Sequence, residues 1–311
     1  MTQGISYVGI DVAKHRLDVR WGDEQFSVAN DETGHSALLA RLRASPLAAV
    51  GIEASGGYER RALKVLREAG LPVRVVDSWR LRQFAKACGR HAKTDPLDAA
   101  MIARFCQVMP AEAAVPSDPL RDKLERLVSY RQSLVADKVR LAHQIAQLDE
   151  DELIDMAQKR LQLSAHCLKQ TDRHIRALIQ SDRILKRKAQ ILQSAPGIGF
   201  VNAITLLAKL PELGQRGPKK IAALVGLAPY DDKSGRRDNG AHIARGRATP
   251  RAMLYLAVLS QLRRCPWAKA FRDNVTAQGK PKMVAVVALM RRLIVALNAM
   301  IKHDRIWFDP A

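Results

Sequence analysis

Residues 6–30 read "SYVGIDVAKHRLDVRWGDEQFSVAN". Three short runs, "SYVGID", "LDVRW" and "FSVAN", are separated by "VAKHR" and "GDEQ", the pattern of a three-stranded meander. Downstream the pattern alternates. "GHSALLARLRAS" has helical spacing, "LAAVGIEA" is a short buried strand, "YERRALKVLREAG" is a helix stopped at Gly70, and "PVRVVD" is a strand followed by two helices to residue 107. The order β-β-β-α-β-α-β-α-α predicts a mixed sheet with helices on its faces. A right-handed crossover then sets the strand ending at Glu53 parallel to the strand ending at Asp11, and beside it.

That is the element order of the ribonuclease H type of α/β fold. "PAEAAVPSDP", residues 110–119, reads as a linker. Residues 120–193 contain no proline or glycine and predict a long helical hairpin. Leu124, Leu127, Leu134, Val135, Leu141, Ile145 and Leu148 recur at spacings of three, four or seven. Such a stripe suits either a coiled-coil arm that also makes dimer contacts or a bundle packed on its own domain. Beyond Pro196 the chain reads as mostly helical, broken by a glycine-rich basic loop at 231–250. Three parts are expected: 1–112, 113–193 and 194–311.

Composition narrows the function. The chain has 311 residues, 47% of them apolar, enough for several domains with real cores. Its 51 Lys and Arg against 31 Asp and Glu leave a charge of +20, which a compact body carries most easily beside a polyanion. Nucleic acid is the leading partner. Cys88, Cys106, Cys167 and Cys265 form no CxxC pair or Cys/His cluster, so neither structural zinc nor a disulfide framework is indicated and a reducing cytoplasm is expected. "MTQGISYVGID" lacks the basic and apolar regions of an export signal. The apolar stretch "MVAVVALMRRLIVALNAM" is interrupted by Arg291 and Arg292, so no membrane span is expected.

The candidate chemistry begins with acids. Asp11 and Glu53 each close an apolar strand, and "GRHAKTDPLD" sets Asp95 and Asp98 three apart before the apolar "AAMIARF". Asp95 before Pro96 suits a helix N-cap, and Asp98 the first turn. Alternatively, residues at i and i+3 share a helix face and reach one divalent cation together with acids from elsewhere. Adjacent strands would bring Asp11 and Glu53 to the same place. Four carboxylates then repel unless Mg²⁺ joins them, and two such ions roughly 4 Å apart serve phosphoryl transfer.

Two further stretches suit a polyanion. "SAPGIGFVNAITLLAKL" resembles a helix-hairpin-helix turn in which Gly197 and Gly199 let backbone approach a phosphate. Between Lys233 and Arg251 lie six basic residues, Lys233, Arg236, Arg237, Arg245, Arg247 and Arg251, against one acid, Asp238. Lys93 extends this basic set upstream. Ser234 sits in the same stretch, where a serine before glycine is ordinarily a turn residue; His242 is the only nearby imidazole.

Taken together, "YVGIDVAKHRLDV", "GIEASGGYER", "HAKTDPLDAAMIARF", "APGIGFVNAITLLAKL", "ALVGLAPYDDKSG" and "HIARGRATPRAMLYLAV" resemble, in order and over nearly the whole chain, the bacterial DEDD insertion-sequence transposases of the one-ten family. The resemblance implies a RuvC-like domain whose acids match Asp11, Glu53, Asp95 and Asp98, and a C-terminal transposase domain whose catalytic serine matches Ser234. It further implies Mg²⁺, a bridge RNA that pairs with donor and target double-stranded DNA, a covalent phosphoserine link, and a synapse of four protomers with sites completed between them.

Three rivals stay open on sequence alone. One is a RuvC-like junction nuclease that leaves Ser234 idle, and another is a non-catalytic RNA-binding protein. The third, an actin-like sugar kinase suggested by "GIDVAK", is opposed by the charge and by the lack of a second glycine-rich phosphate loop.

Overall fold

The computed structural model describes residues 6–90, 99–110, 118–234 and 237–308. The chain divides into two compact units, Met1–Ala114 and Val115–Ala311.

In the first unit the elements run β1 (Ser6–Val12), β2 (Arg16–Trp21), β3 (Glu24–Ala29), α1 (Glu32–Leu42), β4 (Leu47–Glu53), α2 (Arg60–Glu68), β5 (Val73–Val76), α3 (Ser78–Ala87) and α4 (Ala99–Val108). The order is the one read from the sequence. They build a five-stranded mixed sheet, β3-β2-β1-β4-β5. The meander is antiparallel, whereas β1–β4 and β4–β5 are parallel. The turn between β2 and β3 is a two-residue hairpin, Trp21 pairing with Glu24, and Gly22 supplies its φ of 56°.

Alternation along the strands separates two cores. Val8, Ile10, Val12, Leu17, Val19, Val50 and Ile52 face Leu38, Leu42, Ala62 and Leu66 of α1 and α2. The opposite face packs Ala49 and Val76 against Leu81 and Ala85 of α3 and Met101, Ile102, Phe105 and Cys106 of α4. With period two, Asp11 and Glu53 belong to this second face.

The second unit is mostly helical: α5 (Pro119–Ile145), α6 (Asp151–Ser181), α7 (Arg183–Ser194), α8 (Phe200–Lys209), α9 (Pro218–Leu224), β6 (Pro229–Ser234), β7 (Arg237–Ile243), α10 (Ala248–Arg264), α11 (Pro266–Ala277) and α12 (Lys282–Lys302). Where one continuous hairpin was expected over 120–193, the second arm breaks at Asp182. That residue is extended, and its side chain caps α7 by accepting from the Leu185 N–H at 2.6 Å. α5 and α6 form the hairpin proper, tied by Arg131 Nε to Asp172 Oδ1 at 2.7 Å.

Leu124 and Val128, near the base of α5, are buried in the helical core with α8, α10 and α12. Val135, Val139, Leu153, Met156 and Leu163, farther out, are exposed. The stripe therefore packs within its own unit as far out as Leu134 and Leu141, both buried, while Val135 faces solvent. α12 is long and apolar enough to cross a membrane, but Leu289, Leu293, Ile294 and Leu297 bury it in that core.

The basic loop expected at 231–250 is in part a two-stranded hairpin, β6 with β7. Its strands, "PYDDKS" and "RDNGAHI", carry no apolar alternation to reveal them.

Candidate active site

Sheet register assembles the acids. Gly9 pairs with Gly51 and Ile10 with Ile52 across parallel strands, so Asp11 and Glu53 follow as neighbours on one face. The glycines let α4 lie directly on that face. A Cβ on Gly9 would run into the Ala99 carbonyl oxygen, and one on Gly51 would come within 2.6 Å of Cys106 Sγ. Hence α4 begins against β1, two residues before Asp11.

The electrostatics agree with this placement. Burial pushes the Glu53 carboxyl above its ordinary value, and the charge of Asp11 pushes it the same way; the Ser78 hydroxyl and the Arg82 guanidinium act in the opposite direction. Ser78 also donates to the Ala54 carbonyl at 3.0 Å. Asp77, the residue after β5, caps α3 by accepting from the Arg80 N–H at 2.9 Å. Glu53 thus sits at the entry to α3, with two acids and one guanidinium acting on it.

Sequence reading missed one acid of this face. Asp18 pairs directly across from Asp11. Its Oδ1 accepts from Ser27 Oγ at 2.5 Å, and its Oδ2 from Arg16 Nε at 3.0 Å. The signal was present, since a meander with a short first turn sets "GID" against "LDV". Asp18 thus already accepts two side-chain hydrogen bonds within the meander. Among the described residues no group of three or more metal-binding side chains gathers. Asp95, Asp98, Lys93 and Arg236 lie outside the described residues.

In the second unit, Ser234 is the last residue of β6 and pairs with Arg237; Lys233 pairs with Asp238. His242 pairs with Tyr230 at the other end of the hairpin, so it is not Ser234's neighbour. The hairpin rests on a glycine contact. Gly226 and Gly246, with φ of 71° and 69°, meet so closely that a Cβ on either would strike the other's loop.

Three arginines read as nucleic-acid contacts have partners inside the fold. Arg247 is clasped by Glu212 through Nη1–Oε2 at 2.6 Å and Nη2–Oε1 at 2.7 Å. Burial alone would raise the Glu212 carboxyl, but the hydrogen bonds and charge of Arg247 hold it below the usual range. Arg251 donates to the Arg245 and Val225 carbonyls. Arg245 has φ 66°, and its guanidinium lies 5.6 Å from the centre of the Tyr230 ring.

The "PGIG" turn links α7 to α8. Gly197, at φ 80°, lies against the Ala257 carbonyl of α10, whereas Gly199 is the extended N-cap of α8 and has open space around it.

Comparison with known proteins decides the family. A transposase model of the DEDD IS110 type matches residues 8–150, and a second, the transposase IS116/IS110/IS902 family, matches residues 189–273. The chain belongs to the IS110 transposase family. It is similar to the pilin gene-inverting proteins of Moraxella bovis and Moraxella lacunata, each 25% identical over 322 residues, covering 96% of this chain and 97% of the relative. An uncharacterized protein of insertion element IS116 from Streptomyces clavuligerus is 28% identical over 173 residues, 55% of this chain and 38% of that protein. This IS110-family chain is thus a DNA transposase or recombinase, an enzyme that acts on DNA, and the DEDD family points to a divalent metal.

Proposed function

We propose that this transposase is an RNA-guided DNA recombinase. In this reading a RuvC-like, ribonuclease H-like part, residues 1–112, holds Mg²⁺ on Asp11, Glu53, Asp95 and Asp98. A helical arm, residues 113–193, joins it to a transposase part, residues 194–311, that supplies Ser234 as nucleophile. The observation that carries the proposal is the β1–β4 register, which sets Asp11 and Glu53 side by side with one of them already resisting ionisation. Two carboxyls forced together in this way are stabilised as anions by a divalent cation. Asp98 immediately precedes Ala99, the first residue of α4, whose carbonyl abuts Gly9, and this sequence continuity supports adding Asp95 and Asp98 to the pair. When bound, Mg²⁺ would supply Lewis-acid stabilisation of charge on the phosphodiester.

In the same reading Ser234 Oγ attacks the scissile phosphorus. The Oγ–P bond forms as one P–O ester bond of the strand breaks, the serine proton is released, and the leaving oxygen takes up a proton. The strand is then held as a phosphoserine ester until a hydroxyl of the partner duplex displaces the serine. The position of Ser234 in a hairpin bordered by Lys233 and Arg237 supports a role next to DNA. Sequence choice would reside in a bridge RNA paired to donor and target double-stranded DNA. The enzyme would act as a homo-oligomer, a dimer of dimers, in the bacterial cytoplasm. The exposed outer apolar residues of α5 and α6 support an assembly role for that arm.

The test is to incubate protein with guide RNA and both DNAs, quench, and resolve covalent adducts under denaturing conditions. Wild type with Mg²⁺ should give a protein–DNA adduct whose DNA-bearing peptide contains Ser234, and Ser234→Ala should give none. Adducts on another residue, or protein-free cleaved ends, would refute the serine chemistry.

A further inference from the structure

The sheet of the first unit has a switch point at the carboxyl ends of β4 and β5. The chain leaving β4 enters α2, whose Ala62 and Leu66 pack on the face of Ile10 and Ile52. The chain leaving β5 enters α3, whose Leu81 and Ala85 pack on the opposite face. Neighbouring parallel strands whose connections depart to opposite faces leave a crevice between the two loops, and open α/β sheets bind their ligands there. Glu53 ends β4 at this crevice, paired with Val76 of β5.

Each of the two connections carries an exposed aromatic ring. Tyr58, between β4 and α2, is 51% exposed, and Trp79, in the first turn of α3, is 43% exposed. Side-chain hydrogen bonds tie both stretches to the strand ends that carry the acids. Asn30 Nδ2 donates to the Tyr58 carbonyl at 3.2 Å and to the Ala13 carbonyl at 3.0 Å, which joins the Tyr58 backbone to the residue two beyond Asp11. Ser78 Oγ donates to the Ala54 carbonyl, which joins the start of α3 to the residue after Glu53.

The acids of these loops are engaged by backbone. Glu59 Oε2 accepts from the Ser55 and Gly57 N–H groups at 3.1 and 2.8 Å, and Asp77 caps α3. Cations stand on both sides of the crevice: Arg60 Nε lies 3.6 Å from where a Cβ on Gly57 would be, and the Arg82 guanidinium acts on Glu53. Exposed rings with guanidinium groups beside them are the means by which proteins hold unpaired bases, the ring stacking on the base and the cation meeting the phosphate.

We infer that Tyr58 and Trp79 are positioning residues for DNA, stacking on unpaired bases that flank the scissile phosphate and so holding that phosphate at the crevice beside Asp11 and Glu53. The inference rests on the reading of this acid pair as the DNA-cleaving site. It concerns placement of the strand and makes no use of Ser234.

The experiment uses the full chain with guide RNA and donor DNA carrying 2-aminopurine beside the cleavage point mapped for wild type. Emission is read before Mg²⁺ is added and strand cleavage afterwards. Tyr58→Phe and Trp79→Phe keep a ring, whereas Tyr58→Leu and Trp79→Leu keep apolar bulk without one. Each Leu variant should lower kcat/KM for cleavage by about five- to 150-fold, the loss of one base–ring stack, and leave 2-aminopurine brighter in the complex than in wild type. Each Phe variant should stay within about threefold of wild type and quench as wild type does. Leu variants with wild-type cleavage and emission would overturn the inference, as would Phe variants as impaired as the Leu variants, since the rings would then serve packing alone. Cleavage undiminished in Glu53→Gln would instead overturn the reading of the acid pair on which the inference stands.

Discussion

At the scale of single residues, the raised Glu53 carboxyl makes a prediction whose sign follows from linkage. The folded chain holds the Glu53 proton more tightly than the unfolded chain, whose carboxyl titrates near 4.5. Above 4.5 and up to the raised value the folded state therefore binds more protons, and stability falls as pH rises through that window. In chelator, Glu53→Gln should remove that slope and melt roughly 1–2 °C higher at neutral pH, the size of a sub-kcal/mol effect in a chain of this length. The same variant should lose metal-dependent DNA cleavage. Calorimetry across pH checks the first part, and a slope unchanged by the substitution would show that Glu53 is not its source. Asp11 and Glu53 were legible because an acid at the end of an apolar run breaks the pattern. Asp18 was not, because its place depends on a hairpin register, and its ties to Arg16 and Ser27 are contacts in space.

At the scale of elements, the seating of α4 on the sheet depends on Gly9. Gly9→Ala sets a methyl against the Ala99 carbonyl and should cost about 1–3 kcal/mol by overpacking, read as a lowered denaturant midpoint. It should also reduce DNA cleavage although every acid is intact, because the helix start moves away from β1. The two glycines of the "PGIG" turn should separate in the same measurement. Gly197→Ala strains a positive φ and meets the Ala257 carbonyl, whereas Gly199→Ala meets nothing and should unfold like wild type. Equal destabilisation at both positions would contradict this packing. Helix and strand order in the first unit was legible from periodicity. The β6–β7 hairpin was not, since its strands, "PYDDKS" and "RDNGAHI", are polar and carry no apolar alternation.

For the whole molecule, the outer part of the α5–α6 hairpin should carry assembly. Met156→Glu with Leu163→Glu, both exposed, should leave the melting temperature nearly unchanged yet lower the oligomeric mass seen by light scattering. An unchanged mass would exclude that surface. A synapse that joins two duplexes also favours active sites shared between protomers. Asp11→Ala and Ser234→Ala proteins, each inactive alone, should then recover part of the recombination when mixed with guide RNA and both DNAs. Absence of recovery, under conditions where mixed oligomers form, would assign acids and serine to one chain.

The sequence by itself determined the order of elements in the mixed sheet, the apolar helices of the second unit and the family. These rest on period, on glycine and proline punctuation, and on motifs that survive in linear form. Only the tertiary structure decided which acids are neighbours, since a cross-strand pair such as Asp11 and Asp18 is made by register. It likewise decided that Arg247 and Arg251 have partners inside the fold while Arg121, unremarkable in the linear chain, keeps a buried unpaired N–H. The reason is physical. Periodicity records which face of an element is dry, but a polar group's role depends on which partner folding brings within hydrogen-bond reach, and that partner lies elsewhere in the chain.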